Sequence, residues 1–165
     1  VSPPKLVCEW ITVDNVNQLV ADHGFAGDVD LLSLDLDGND YWILRALDVI
    51  RPRVIALEFA GALGPSVSVT IAYDPNFHLD FTVLPYRCGA SLAAFTALCA
   101  RKGYRLVGVH SLGFNAFFVR QDLGTTFLPT RSPHECYRDT PRLQTWSPTN
   151  VDLMLSGPVQ WERVT

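Results

Sequence analysis

The feature that most constrains the fold is an apolar run at residues 29–36, which leads directly into a cluster of carboxylates. A run of this length with few charges is typical of a parallel-sheet strand that is buried on both faces. Asp35, Asp37 and Asp40 stand at its carboxyl end, around Gly38. Because open α/β sheets bind their ligands at that end of the strands, the stretch predicts both a fold and a site.

The composition is that of a folded domain and gives no electrostatic footprint for nucleic acid. Of 165 residues, 48% are hydrophobic and 18% charged, which suits one domain with a core. The net charge of −4 predicts no nucleic-acid partner. No apolar run reaches the ~20 residues that span a bilayer, so no membrane partner is expected. The four cysteines are widely spaced, and we expect reduced thiols in a cytoplasmic protein.

Hydrophobic periodicity predicts alternating strands and helices in the first three quarters of the chain. One helix is expected between Thr12 and Gly24, a second over 40–50 and a third over 91–102, with Ser91 as the expected N-cap of the third. The expected strands are 5–11, 29–36, 53–59, 104–109 and 115–120, the last two forming a β-hairpin. The predicted fold class is therefore α/β, with parallel strands followed by a terminal antiparallel hairpin.

Two segments lack such periodicity. Residues 60–88 are predicted to be a long loop, and loops of that length in compact domains are usually functional. Residues 124–165 are predicted to be an irregular, proline-rich extension that Trp146 and Trp161 hold against the body. The expected organisation is thus an α/β domain over 1–123 and a packed extension over 124–165.

Asp35 and Asp37 are the first candidates for chemistry. Because successive side chains of a strand point to opposite faces, Asp35 and Asp37 lie on the same side of the strand as Ser33. Like charges so close raise a pKa unless a cation or donor lies between them, so the pair is a candidate general base, hydroxyl-binding site or divalent-metal site. The alternative is that one carboxylate caps the following helix and the other is solvated. An EF-hand calcium loop is excluded, since Asp40 and Ala46 stand where that loop requires Gly and Glu.

Further candidates follow the neighbouring strand. Glu58 ends the predicted strand 53–59, so it either faces the same crevice or accepts hydrogen bonds from loop amides. In the long loop, Tyr73 and Tyr86 are candidates for a pocket wall, and His78 is a candidate base.

Several segments together resemble the FkbM-type S-adenosylmethionine-dependent methyltransferases. Their order and spacing fit that family over about residues 8–123. The segments are Asp30-Leu-Leu-Ser-Leu-Asp-Leu-Asp-Gly-Asn-Asp-Tyr-Trp-Ile, Pro52-Arg-Val-Ile-Ala-Leu-Glu-Phe, Tyr73-Asp-Pro, Gly89-Ala-Ser-Leu-Ala-Ala, Lys102-Gly-Tyr-Arg-Leu-Val-Gly and Asn115-Ala-Phe-Phe-Val-Arg.

The resemblance implies a Rossmann-like class I methyltransferase sheet, whose seven strands have the order 3-2-1-4-5-7-6. Residues 29–36, 53–59, 104–109 and 115–120 would be strands four to seven. It also implies S-adenosylmethionine as cofactor and methyl transfer to a small-molecule or sugar hydroxyl. On this basis Asp35, Asp37 and Glu58 are assigned to catalysis, and Ser33 and Asp35 to cofactor binding. The residues assigned to substrate binding are Asn39, Asp40, Tyr73, His78, Tyr86 and Asn115.

The glycine-rich first half of that family has no counterpart in this sequence. We therefore expect the chain to be the C-terminal fragment or processed product of a methyltransferase. The alternative is a non-catalytic binding or oligomerisation module of the same fold, whose fourth strand pairs with a second copy or with the missing half. A metal-dependent hydrolase is less favoured because its histidine ligands are lacking.

Overall fold

The fold is organised around a four-stranded mixed sheet. The structure is a computed structural model that describes residues 3–79, 89–157 and 159–165. The elements in chain order are α1 (Val16–Asp22), β1 (Gly27–Leu34), α2 (Asp40–Ala46), β2 (Ile50–Glu58), β3 (Val69–Ile71), α3 (Leu92–Arg101), β4 (Tyr104–Val109), β5 (Asn115–Arg120), α4 (Pro133–Asp139), α5 (Pro148–Leu155) and β6 (Trp161–Arg163), with 3₁₀ turns at Gly61–Leu63 and Pro141–Thr145. In the parts of the chain so described, no helix has the length and apolar character to cross a membrane.

The main sheet has the order β1-β2-β5-β4. β1 and β2 are parallel, whereas β5 runs antiparallel to both of its neighbours. The α/β class, the parallel pair and the terminal hairpin that the sequence predicts are therefore confirmed. Because β1 and β2 point the same way, the segments that follow them emerge at the same end of the sheet.

Helices α2 and α3 cover one face of the sheet, and the main core lies between them and the strands. Helix α3 forms where its N-cap was predicted, since the Ser91 hydroxyl accepts the Ala94 amide proton at 3.2 Å. It ends before Gly103, whose φ of +86° suits a glycine after a helix. The largest fully buried core side chains include Tyr41, Ile43, Leu44, Ile55, Leu57, Phe95, Leu106 and Phe118.

The expectation that residues 29–36 form a strand buried on both faces is wrong. β1 lies at the edge of the sheet, and in the part of the chain that the structure describes it pairs with β2 alone. Leu34 points towards the helices and is buried, whereas Leu31, on the opposite face, is 60% exposed. An apolar run indicates that a strand has two apolar faces, but it does not indicate whether this chain covers both of them.

The two ends of the chain also differ from expectation. Residues 5–11 form no strand. Helix α1 begins at Val16 because Thr12 and Asn15 first close a turn, in which the Thr12 amide donates to Asn15 Oδ1 at 2.8 Å. The extension 124–165 is not irregular: it contains α4 and α5, and its strand β6 pairs antiparallel with β3.

Trp146 and Trp161 hold that extension to the body, as the sequence predicts. Trp146 lies against Gly64, where a Cβ atom would come within 2.7 Å of the indole. Trp161 packs on the small core around Leu63 and Val69, and its Nε1 donates to the Met154 carbonyl at 3.1 Å. The segment 60–79 is consequently not a free loop, because β3 within it is paired.

Candidate functional site

The turn that follows β1 is built around the side chain of Asp40, which is only 1% exposed. Its Oδ1 accepts the Leu36 amide proton at 2.8 Å, and its Oδ2 accepts that of Gly38 at 3.0 Å. Burial raises the pKa of this carboxyl, and the two amide donors oppose the rise because they favour the charged form. Both carboxylate oxygens are thus engaged inside the protein, which gives Asp40 a structural position within the predicted substrate site.

The same turn places Asp37 in an unusual conformation. Its φ is +54°, in the left-handed region that residues other than glycine rarely adopt. Such conformations cost of order 1–3 kcal/mol and gather at functional sites. The alternative in which Asp35 or Asp37 caps the next helix does not occur, since the N-cap of α2 is Asn39 and its side chain makes no capping bond.

A second loop packs on this turn. Phe77 lies so close to Gly38 that a Cβ at position 38 would be 2.3 Å from its ring, which explains why glycine stands there. The buried Asn39 side chain donates to the Asp74 carbonyl at 2.8 Å, and its Oδ1 lies 3.5 Å from the Asp74 amide. Residues 72–79 are thereby held against the carboxylate turn.

Asp35, Asp37 and Glu58 meet at the carboxyl ends of β1 and β2. One carboxylate oxygen from each lies within 4.8 Å of the others. The two aspartates are exposed and Glu58 is partly buried. Asn115 is the register partner of Glu58 on β5, so the end of β5 adjoins the cluster. These four sequence-predicted residues therefore form one group on the surface.

Crowding of negative charge changes the protonation of Glu58. Its pKa is raised to about 7, first by burial, then by the charge of Asp35 and a hydrogen bond with it, and further by Asp40 and Asp37. None of the ion pairs found among the described residues includes any of these four carboxylates. The carboxyl ends of β1 and β2 therefore carry negative charge. Among the described residues, no lysine or arginine forms an ion pair with it.

The other sequence-predicted residues lie around this group. Tyr73 and His78 belong to the loop 72–79, where the Tyr73 hydroxyl accepts the Val13 amide proton at 3.2 Å. His78 contacts Trp10, with ring centroids 4.9 Å apart. Ser33 is exposed and, by strand alternation, shares a face with Asp35. Tyr86 lies outside the described residues, so its assignment stays a prediction.

Sequence reasoning missed Phe77 and Trp10, which contact the site loops. The available signal was Gly38, since a glycine inside a polar turn indicates close approach of another group.

Two cavities of about 320 and 300 Å³ lie elsewhere. The first lies near Leu44 and Tyr104 and the second near Cys136, and neither includes a carboxylate of the cluster. Among the described residues, Asp35 and Asp37 are exposed and Glu58 is partly buried, so these three carboxylates lie at the surface.

The arrangement has two chemical capacities. Three convergent carboxylates attract a cation, and the oxygens have the type and spacing that a hard divalent ion uses. A carboxyl with a pKa near neutrality can exchange a proton with a bound hydroxyl.

No protein-family model, curated protein or solved structure matches this chain. The function is therefore argued from this geometry and from the sequence.

The raised pKa of Glu58 predicts that stability depends on pH in a definite direction. Because about 7 lies above the ordinary value of 4.5, the folded state binds the extra proton. The stability linked to this group is fully present below pH 4.5 and is lost as the pH rises through 7. We expect Glu58→Gln to flatten that decline in the free energy of unfolding, measured by urea denaturation at a series of pH values.

The matched control is Glu9→Gln, at an exposed glutamate outside the cluster, which should leave the decline unchanged. An equal decline in the wild type and in Glu58→Gln would show that Glu58 has no raised pKa.

Proposed function

We propose that this chain is part of an S-adenosylmethionine-dependent methyltransferase that acts on a hydroxyl group. The observation that carries the proposal is the strand order β1-β2-β5-β4, with β5 antiparallel to its neighbours. This is the order and direction of strands 4-5-7-6 in the class I methyltransferase sheet that the sequence resembles. The candidate site lies at the carboxyl ends of the parallel strands, where open α/β sheets bind ligands.

The residues at this end suit a cationic cofactor. S-adenosylmethionine carries a positive sulfonium, and the carboxylates of Asp35, Asp37 and Glu58 have no ion-pair partner among the described residues. When bound, the cofactor supplies an electrophilic methyl group. Ser33 and Asp35 are the residues assigned to hold it, since both lie on the exposed face of β1 and at its end.

Glu58 is assigned the role of general base. A hydroxyl becomes a better nucleophile as it loses its proton, and a base with a pKa near the working pH accepts that proton most effectively. The pKa of Glu58, about 7, meets this condition because the carboxyl is partly buried beside Asp35. Such catalysis contributes typically about 10²- to 10⁴-fold in rate.

Asp37 and Asn115 are assigned to the acceptor. The Asp37 carboxylate projects from a turn that Asp40 fixes from inside, and Asn115 stands opposite Glu58 in the register of β5. A carboxylate and an amide can orient a hydroxyl by hydrogen bonds. Asn39 and Asp40 support the acceptor site indirectly, since both side chains are buried. A divalent ion on Asp35 and Asp37 would serve the same orienting purpose.

The direct test is calorimetric titration of the chain with S-adenosylmethionine. We expect binding that Asp35→Ala weakens at least about tenfold, because that change removes one carboxylate from the cation site. Asp30→Ala is the control, since Asp30 is an exposed β1 carboxylate whose side chain is 98% accessible. Absence of binding at millimolar cofactor, or equal weakening by both variants, would contradict the proposal.

A second candidate function is that of an assembly module, and the free edge of β1 favours it. Among the described residues no strand pairs with the outer side of β1, and Leu31 on its open face is 60% exposed. Unpaired edges of this kind add strands from a second copy or another chain.

Sedimentation velocity over a range of concentrations tests this candidate. We expect a dimer that Leu31→Lys dissociates, because the lysine places a charge on the face beside the joined edges. Leu112→Lys, at a comparably exposed leucine in the β4–β5 turn, should leave the dimer intact. A wild-type chain that stays monomeric at every concentration would exclude assembly with a second copy through this edge.

A further inference from the structure

The larger of the two cavities lies at the end of the sheet opposite the carboxylates. Its volume is about 320 Å³, at the lower end of the range of pockets that hold small organic ligands. Its wall includes Arg51, near the amino end of β2, and Lys102, which directly follows α3. Six apolar side chains line much of the rest: Leu32, Leu44, Leu47, Ile50, Pro52 and Ile55. The cavity therefore combines aliphatic walls with charged side chains.

The charged groups give this cavity an excess of positive charge. Its lining contains Arg51, Arg101 and Lys102. The one carboxylate that the described residues contribute to the lining is Asp48, which pairs with Lys102 at 2.7 Å. Arg51 pairs with Asp28 at 2.8 Å, whereas no ion pair among the described residues includes Arg101. In a chain with a net charge of −4, this local excess favours an anion.

Tyr104 adds a hydrogen-bond donor to the positive region. It lines the cavity and is only 5% exposed. Burial raises the pKa of its hydroxyl, so the group stays protonated at neutral pH. In the described part of the chain this hydroxyl donates to no acceptor, although a buried tyrosine hydroxyl usually has a partner. A donor without an acceptor in a positively charged cavity indicates a ligand that carries a negatively charged oxygen.

The alternative role of these cations is to compensate the carbonyl ends of α2 and α3. Lys102 has that role, since its Nζ donates to a carbonyl in the last turn of α2 at 3.3 Å. The Arg101 guanidinium instead donates to the Thr165 carbonyl and the Tyr41 hydroxyl, and neither group belongs to a helix end. Compensation of the helix ends therefore leaves Arg101 and the Tyr104 hydroxyl unexplained.

We propose that this cavity binds a small carboxylic acid whose hydrocarbon part lies against the aliphatic walls. The Tyr104 hydroxyl donates to the carboxylate, and Arg101 supplies the opposite charge. An inorganic anion would leave the six apolar side chains without a role. A neutral hydrocarbon would leave both the charge and the hydroxyl without a partner. The site is separate from the carboxylate cluster, and it does not depend on the proposed methyl transfer.

The test compares three probes: 4-ethylbenzoate, its neutral amide 4-ethylbenzamide, and acetate. Each is titrated into the full chain, and binding is followed by NMR. We expect 4-ethylbenzoate to bind at least about tenfold tighter than the amide, which lacks the charge, and than acetate, which lacks the apolar part. Nuclear Overhauser contacts should join the ethyl and ring protons to the methyl groups of Leu44 and Ile55.

Two variants separate binding from a purely structural effect. Tyr104→Phe removes only the hydroxyl, and Arg101→Gln removes the charge, so each should reduce the preference for the benzoate over the amide severalfold. A structural role alone would weaken both probes equally. Arg142→Gln makes the same charge change at an exposed arginine outside the cavity and should preserve the preference.

Four results would overturn the inference. The first is the absence of 4-ethylbenzoate binding at millimolar concentration, and the second is equal affinity for the benzoate and either of the other probes. The third is a set of Overhauser contacts at another surface. The fourth is a preference that Tyr104→Phe and Arg101→Gln leave unchanged or that Arg142→Gln reduces equally.

Discussion

The interaction on which the site depends is the pair of hydrogen bonds that the buried Asp40 carboxylate accepts from the Leu36 and Gly38 amides. A buried carboxylate without such donors would be strongly disfavoured. With them, it closes the turn after β1 and holds Asp37 at a φ of +54°. The second loop then packs on this turn through Phe77 and Gly38. The Asp40 side chain thus fixes the geometry of the turn that presents Asp37 and on which the second loop packs.

The parallel pairing of β1 and β2 adds the second half of the site. Leu34 pairs with Leu57 in the register, so Asp35 and Glu58 follow directly at neighbouring strand ends. Their proximity, with Asp37 and the buried Asp40, raises the pKa of Glu58 to about 7. Without a basic partner among the described residues, this concentration of charge is the physical reason to expect a cationic ligand.

Much of this could be predicted from the sequence, because local patterns determine it. The run before Asp35 predicted β1, Ser91 predicted the start of α3, and Asp35, Asp37 and Glu58 were expected at one end of the sheet. What failed depended on long-range packing. The exposure of Leu31 depends on what covers a face, and the pairing of β3 with β6 joins segments about ninety residues apart, which no local pattern indicates.

The central claim is that Asp40 builds the turn that presents the carboxylates, and amide hydrogen exchange tests it most directly. In the wild type we expect the Leu36 and Gly38 amides to be protected. In Asp40→Asn the amide group supplies one acceptor oxygen where the carboxylate supplies two. At least one of the two amides should then exchange about tenfold faster or more. Unchanged protection of both amides in Asp40→Asn would contradict the account.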